Sequence, residues 1–251
     1  MEKIAIVSDI HGNIPAFEAV LTDIHKRGIT RIFCLGDLAG KGPHGGRAID
    51  ICRQECSIVL KGNWDEMLGK NLTPEIPITL WHRQKLGTSN LEYLANLPGT
   101  FDFYLSGRKV RLFHASQAGV HVRVGMNSTE EKHLAMFTNT EFTGNRFEPD
   151  VVGHADIHQT YLKHYYMKIL FNSGSVGNPL DEPTASYVIM EGNYGDENAG
   201  SFSINIIRLP YDIELAIKQA SDENMPDLET YKNELRTAVY RNISLLKMRP
   251  K

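Results

Sequence analysis

The period of the hydrophobic pattern changes along the chain. Short apolar runs stand at Ile4-Ala5-Ile6-Val7, Arg31-Ile32-Phe33-Cys34-Leu35, Ser57-Ile58-Val59-Leu60, Val110-Arg111-Leu112-Phe113 and Asp150-Val151-Val152. Runs this short, bounded by glycine and polar residues, read as buried strands. After the first run, Phe17, Val20, Leu21 and Ile24 recur at helical spacing, with Pro15 suited to the first turn and Gly28 as the stop. A second helix is predicted over 45–55, with Ala48, Ile49 and Cys52 on one face, and a third strand at 57–60. A β-α-β-α-β order implies parallel strands joined by right-handed crossovers.

Segment 66–100 breaks this rhythm. It carries Pro74, Pro77 and Pro98, and Leu91, Leu94, Ala95 and Leu97 predict a helix near 89–96. Segment 117–147 is again irregular around a helix at 129–136. Both stretches are expected to act as lids or walls over a site. Beyond residue 154, the runs 159–164, 167–171, 185–190 and 202–208 alternate in part and are separated by turns. They predict a second, antiparallel, meander-rich sheet packed on the first. From 211 to 251 the pattern is helical, with a break near Asn224-Met225-Pro226. Nothing in the middle reads as a linker, so 1–251 is expected to be one α/β domain.

Composition narrows the function classes. A chain with 41% hydrophobic and 23% charged residues is ordinary for a globular protein, and a net charge of −3 argues against a broad nucleic-acid surface. No apolar run approaches the ~20 residues a membrane span needs. The chain enters its first strand at once, without a signal-peptide pattern, which makes the cytoplasm the expected compartment. Cys34, Cys52 and Cys56 form no disulfide pattern and are expected to pack as small apolar residues.

The ends of the five apolar runs carry the chemistry. They lead into Asp9-Ile10-His11, Gly36-Asp37, Gly62-Asn63, His114 and Gly153-His154. Strand ends converge on one edge of an α/β sheet, so these side chains are expected to meet. In an extended segment Asp9 and His11 share a side. A carboxylate such as Asp37 can bridge two cations, and a carboxylate, amide and imidazole donor set suits Mn, Fe or Zn better than Ca. Two such ions can activate water and neutralise the oxygens of a phosphoryl group.

These motifs resemble the calcineurin-like metallophosphoesterase superfamily, whose pattern is D-x-H, G-D, G-N-H-[DE], a lone H and G-H-x-H. Here they read Asp9-Ile10-His11, Gly36-Asp37, Gly62-Asn63-Trp64-Asp65, His114 and Gly153-His154-Ala155-Asp156. The turn Asn172-Ser173-Gly174-Ser175-Val176-Gly177-Asn178-Pro179 and the loop Gly40-Lys41-Gly42-Pro43 resemble its small bacterial phosphodiesterase branch. The resemblance implies a four-layer α-β-β-α sandwich with two metal ions, Mn or Fe favoured and Zn allowed. Asp9, His11, Asp37 and Asp156 would hold one ion, and Asp37, Asn63, His114 and His154 the other.

Two positions depart from that pattern. Trp64 stands where many members carry a histidine that protonates the leaving group or binds phosphate, and Trp cannot be a general acid. Asp156 replaces the last histidine, with His158 two residues on as a competitor for the role. His44 is the first candidate for a replacement acid, which puts Asp37, Asn63 and His44 in the catalytic set. Trp64, Lys41, His44, Arg47 and His121 are the candidate substrate contacts, and Asp65 is expected to orient its loop or cap a helix. The expected activity is hydrolysis of a phosphodiester or phosphoanhydride in a small, nucleotide-type substrate, as in the diadenosine tetraphosphate hydrolases of the superfamily. The rivals are a phosphomonoesterase, including a protein phosphatase, and a non-catalytic scaffold that keeps the fold. A homodimer is compatible with the helical tail or an exposed sheet edge.

Overall fold

The computed structural model describes residues 1–72 and 75–240. The first strand, β1 (Glu2–Val7), alternates its burial: Ile4 and Ile6 face one core, Ala5 and Val7 another. A strand buried on both faces belongs in the middle of a sheet. Helix α1 (Ile14–Lys26) follows, its first turn capped by the Asn13 side chain, which accepts from the Ala16 N–H at 3.2 Å. Phe17, Val20, Leu21 and Ile24 form its buried stripe. Then come β2 (Arg31–Cys34), α2 (Gly45–Glu55), β3 (Ile58–Val59) and α3 (Asn63–Gly69). Strands β1, β2 and β3 are parallel neighbours.

Helix α4 (Pro77–Ala95) is longer than the helix expected near 89–96. Pro77 sits in its first turn and Gly87, at φ 69°, breaks it midway, so both features that read as irregular belong to a kinked helix. Leu86 and Leu94 dock in the core formed by α1 and α2, and Ile78 in a separate cluster with the C-terminal helices. This packing turns segment 66–100 into part of the helical layer rather than a wall over the site expected of it.

Strands β4 (Thr100–Leu105) and β5 (Arg108–Phe113) form an antiparallel pair. After α5 (Glu130–Ala135) come β6 (Val151–His154), β7 (Thr160–Tyr165), β8 (Lys168–Ser173), β9 (Ala185–Gly192) and β10 (Ser203–Leu209). Helices α6 (Ile213–Asp222) and α7 (Leu228–Thr237) end the described chain. The helical reading of 241–251 lies outside the described residues.

Two five-stranded sheets result, in the orders β10-β9-β1-β2-β3 and β4-β5-β6-β8-β7. The runs after residue 154 therefore do not make a second sheet by themselves. β7 and β8 join β6, with β8 parallel to it, while β9 and β10 return to the first sheet antiparallel to β1. The reason lies in β9. Val188 and Met190 face the core between the sheets and Tyr187 and Ile189 the helical side, a two-faced burial that only a place beside β1 supplies. With α1, α2 and α4 outside one sheet and α5 outside the other, the layers are α-β-β-α.

One buried charge pair fixes the outer face of the second sheet. Arg111 is wholly buried on β5 and pairs with Asp102 on β4 through Nε at 2.8 Å and Nη2 at 2.7 Å. Its Nη1 also donates to Asn139 Oδ1 at 2.9 Å. Asp102→Ala would strand this guanidinium in the interior. The expected loss is about 3–5 kcal/mol, measured by urea unfolding; a loss under about 1 kcal/mol, the range of exposed pairs, would mean the pair is solvated.

Candidate metal centre

The carboxyl ends of β1, β2, β5 and β6 meet along one edge where the two sheets face each other. Past β1 and β2 the chain continues in register without being strand: the N–H groups of Asp9, His11 and Gly12 donate to the carbonyls of Gly36, Asp37 and Leu38, each at 2.9 Å. On the other flank, the N–H groups of Val176 and Gly177 donate to the carbonyls of Ser8 and Asp9 at 2.9 Å. Asp9, His11, Asp37, Asp156 and His158 all take left-handed backbone, with φ between 50° and 65°. Left-handed residues other than glycine cost energy, and a cluster of them marks a functional site.

Asp37 sits at the centre. Its Oδ2 lies 3.6 Å from His11 Nε2 and 3.6 Å from His114 Nε2, and its Oδ1 accepts the Trp64 N–H at 2.8 Å. Gly62 makes this approach feasible, since a Cβ there would fall 2.1 Å from Asp37 Oδ1. Asp65 holds the loop: its carboxylate accepts the N–H groups of Asp37 at 2.7 Å, Leu38 at 3.0 Å and Gly62 at 2.9 Å. Asn63 opens α3 and places its Oδ1 3.2 Å from His114 Nε2.

Three histidines share one arrangement. The Nδ1 atoms of His11, His114 and His158 donate to the backbone carbonyls of Ala39 (3.1 Å), Leu35 (2.9 Å) and Asn178 respectively. That leaves each Nε2 as the ring's ligand atom, the outer-sphere arrangement of metal-binding imidazoles. The Nε2 atoms of His11 and His158 lie 3.3 Å apart, and His158 Nε2 is 3.1 Å from Asp9 Oδ1. Two lone pairs and a carboxylate turned on each other call for a cation.

The electrostatics agree. Asp9 is fully buried and neither of its oxygens has a hydrogen-bond partner. Burial alone would raise its pKa, but His158, His114 and His11 outweigh it and keep the carboxyl ionised. Burial, with His158 and Lys41 adding to it, pushes the His11 imidazole well below its usual range, so it is a neutral donor. Burial also raises Asp37, with Asp9 and Asp65 repelling it and His114 opposing. His114 is pressed down by burial but held at about 9 by Asp37, Asp9, Asp156 and Asp65. The pocket gathers buried carboxylates and imidazoles whose protonation depends on one another, a donor set that fits divalent ions. Two sets of ligand atoms, Asp9–His11–His158 and Asp9–Asp37–His114, each lie within 4.8 Å of one another.

Other sequence-chosen residues fall elsewhere. Asp156 is not gathered into either set. Both its oxygens hold Arg123, through Nε at 2.7 Å and Nη2 at 2.8 Å, and its Oδ1 stays 3.9 Å from His114 Nε2. His158, four residues after His154, stands in its place. His154 is in neither set, with its Nε2 2.6 Å from the Tyr161 hydroxyl and its Nδ1 3.3 Å from Asn172 Nδ2. Burial pushes its pKa down to about 3. His44 begins α2 half-buried and away from the cavity, its N–H donating to the Gly12 carbonyl at 3.1 Å. Arg47 pairs with Glu18, and His121 with Glu66 at 2.9 Å, both at the surface. These contacts take the three residues out of the set around the metal ligands.

Above the ligands opens a cavity of about 520 Å³. Asp37, Asn63 and Asp156 form part of its floor, and Trp64, Lys41, Arg123 and Tyr240 part of its walls. The Lys41 ammonium donates to Asn178 Oδ1 and lies 3.8 Å from Glu234, which ties α7 to the site. Arg123 was not legible in the sequence, because nothing in segment 117–147 marks it except its charge.

The domain model of the calcineurin-like phosphoesterase superfamily matches residues 2–194. The chain belongs to that superfamily. It is therefore a phosphoesterase-family protein whose activity depends on metal, and the motifs around Asp9, Asp37, Asn63 and His114 fall inside the matched span. It is similar to MJ0912 of Methanocaldococcus jannaschii, a protein described as uncharacterised, at 33% identity over 89% of this chain and 94% of that one. Among solved structures it is similar to a metallophosphoesterase from Sphaerobacter thermophilus, with a TM-score of 0.74, 22% identity, and coverage of 95% of this chain and 99% of that one. It is also similar to the hypothetical protein PH1004 from Pyrococcus horikoshii OT3, with a TM-score of 0.75, 19% identity, and coverage of 96% and 98%. At such identities these structures speak for the fold alone. No helix among the described residues is long and apolar enough to cross a membrane.

Proposed function

We propose that the protein hydrolyses a phosphodiester or phosphoanhydride bond in a nucleotide-type small molecule such as a dinucleoside polyphosphate. The observation that carries this reading is Trp64. Its backbone N–H is bound to the central carboxylate and its ring lies on the cavity wall, where a general acid would serve an alkoxide leaving group. An indole N–H cannot donate a proton at neutral pH. Diesters of acidic alcohols and phosphoanhydrides leave as weak bases and do without that help.

The residues divide the work. Asp9, His11 and His158 would hold one ion and Asp37, His114 and Asn63 the other, with Asp9 near both sets. When bound, the ions supply Lewis acidity and activate water. Lys41 offers a positive charge on the wall, and Trp64 and Tyr240 offer faces for a base. A cavity of this size accommodates a nucleotide.

Manganese-loaded protein is expected to hydrolyse bis-p-nitrophenyl phosphate and diadenosine tetraphosphate. An alkyl monoester such as glycerol phosphate should turn over at least about 10²-fold more slowly, the lower bound of what a general acid contributes. Equal or faster turnover of the alkyl monoester would replace this reading with a phosphomonoesterase. No turnover of any of them, with metal loading confirmed, would leave a scaffold.

A further inference from the structure

Arg123 has an environment that a surface arginine does not. Its side chain is 57% exposed and lines the metal cavity, yet its partner Asp156 has a side chain only 4% exposed. The pairing is bidentate, and it uses two of the five N–H donors of a guanidinium, leaving three for a ligand. Through Asp156 the cation stands one carboxylate's breadth from His114, whose Nε2 is 3.9 Å from Asp156 Oδ1.

The backbone beneath Arg123 is anchored. Val124 is buried with Met136, Phe137 and Tyr161. The Gly125 carbonyl accepts from His133 Nε2 at 2.9 Å, and the Gly125 N–H donates to Ser128 Oγ at 3.0 Å. The Met126 carbonyl accepts from Lys163 Nζ. The buried Asp156 carboxylate accounts for a cation beside it, yet the guanidinium that answers it stays more than half exposed at the mouth of an acidic pocket, on a loop this well fixed. A planar fork already aligned by a carboxylate is suited to a second planar or tetrahedral oxyanion.

We propose that Arg123 binds a phosphate group of the substrate and that Asp156 is the residue that positions it. The proposal deepens the hydrolase reading and rests on it for the substrate class. It assigns the departure at Asp156 a purpose: the position that gives up metal binding to His158 holds a phosphate contact instead.

The test uses the whole, manganese-loaded protein and the variants Arg123→Ala and Arg123→Lys. Three readouts are kept separate: bound manganese, the affinity for inorganic phosphate by calorimetry, and the KM and kcat for bis-p-nitrophenyl phosphate. Arg123→Ala is expected to keep its manganese, to bind phosphate about tenfold more weakly and to raise KM by about tenfold with kcat changed less than about threefold. Arg123→Lys, which keeps the charge and loses the fork, should fall between. Phosphate affinity and KM equal to wild type in Arg123→Ala would overturn the proposal, and so would a loss of manganese that accounts for both changes. Turnover by wild type with Arg123 indifferent leaves the hydrolase reading standing and removes this one. Arginine-dependent phosphate binding without turnover does the reverse.

Discussion

Asp37→Asn is expected to lower metal-dependent phosphoester turnover by about 10³-fold, roughly 4 kcal/mol of barrier, and to make the metal-free protein more stable. Asn is nearly the same shape and keeps an oxygen for the Trp64 N–H, so the loop after β2 has no reason to move. What disappears is the one charge placed 3.6 Å from both His11 and His114. Without metal that charge is a burden. Burial, together with Asp9 and Asp65, raises the Asp37 pKa well above its unfolded value of 3.8. An acid raised in the folded state contributes its stability below the unfolded pKa and loses it as pH rises through the folded one. The advantage of Asp37→Asn over wild type in chelator should therefore be absent below about pH 4, grow between there and the raised value, and level off above it. Added manganese should reverse the order. At a concentration about 1,000 times its dissociation constant a ligand stabilises by about 4 kcal/mol, or about 8–16 °C for a chain of this size, a shift the variant should largely lack. Thermal melts in chelator and in manganese, beside turnover, read both effects. Wild-type turnover in the variant would sink the role of Asp37 as a metal ligand.

The architecture was largely legible in the sequence because its strands are short, apolar and buried, and each ends at a residue of chemical consequence. Helix α2 at 45–55 was expected within those bounds, since Ala48, Ile49 and Cys52 give one clean face. What was not legible depends on partners distant in sequence. Strand β4 alternates Phe101 and Phe103 with Asp102, and the acid makes sense only once Arg111 is known to be buried opposite it. The return of β9 to the first sheet rests on which face meets β1. In the metal centre, Asp9, His11, Asp37, Asn63 and His114 follow strand ends closely, so spacing placed them. His154 was placed by the same strand-end pattern and Asp156 by motif position. Yet the ring of His154 lies against Tyr161, and the chain from 155 to 158 turns through left-handed residues at Asp156 and His158 that reassign which side chain faces Asp9. Backbone of that kind has no signature in hydrophobic periodicity.

That reassignment leads to the second large effect. His158→Ala is expected to lose one of two bound metals and to lower turnover by about 10²–10³-fold, whereas Asp156→Asn should retain both metals and act mainly on KM. The difference follows from where the donor atoms are. His158 brings its Nε2 to 3.1 Å from Asp9 Oδ1 and 3.3 Å from His11 Nε2, with its Nδ1 held by the Asn178 carbonyl. Asp156 spends both oxygens on Arg123. For Asp156 to ligate, an oxygen that already accepts from Arg123 would have to serve the ion as well, with the guanidinium beside it, a repulsion that His158 avoids. Metal content by elemental analysis separates the two sites before any assay is run. If Asp156→Asn stripped a metal and His158→Ala kept both, the motif position would be the true ligand, and the pairing with Arg123 would be a feature of the metal-free state alone. If each variant lost one metal, both side chains would ligate, and the Asp156 carboxylate would serve the ion and Arg123 together. The expected pattern, loss at His158 only, means that the superfamily's last ligand has moved two residues along the chain and that the vacated position serves the substrate.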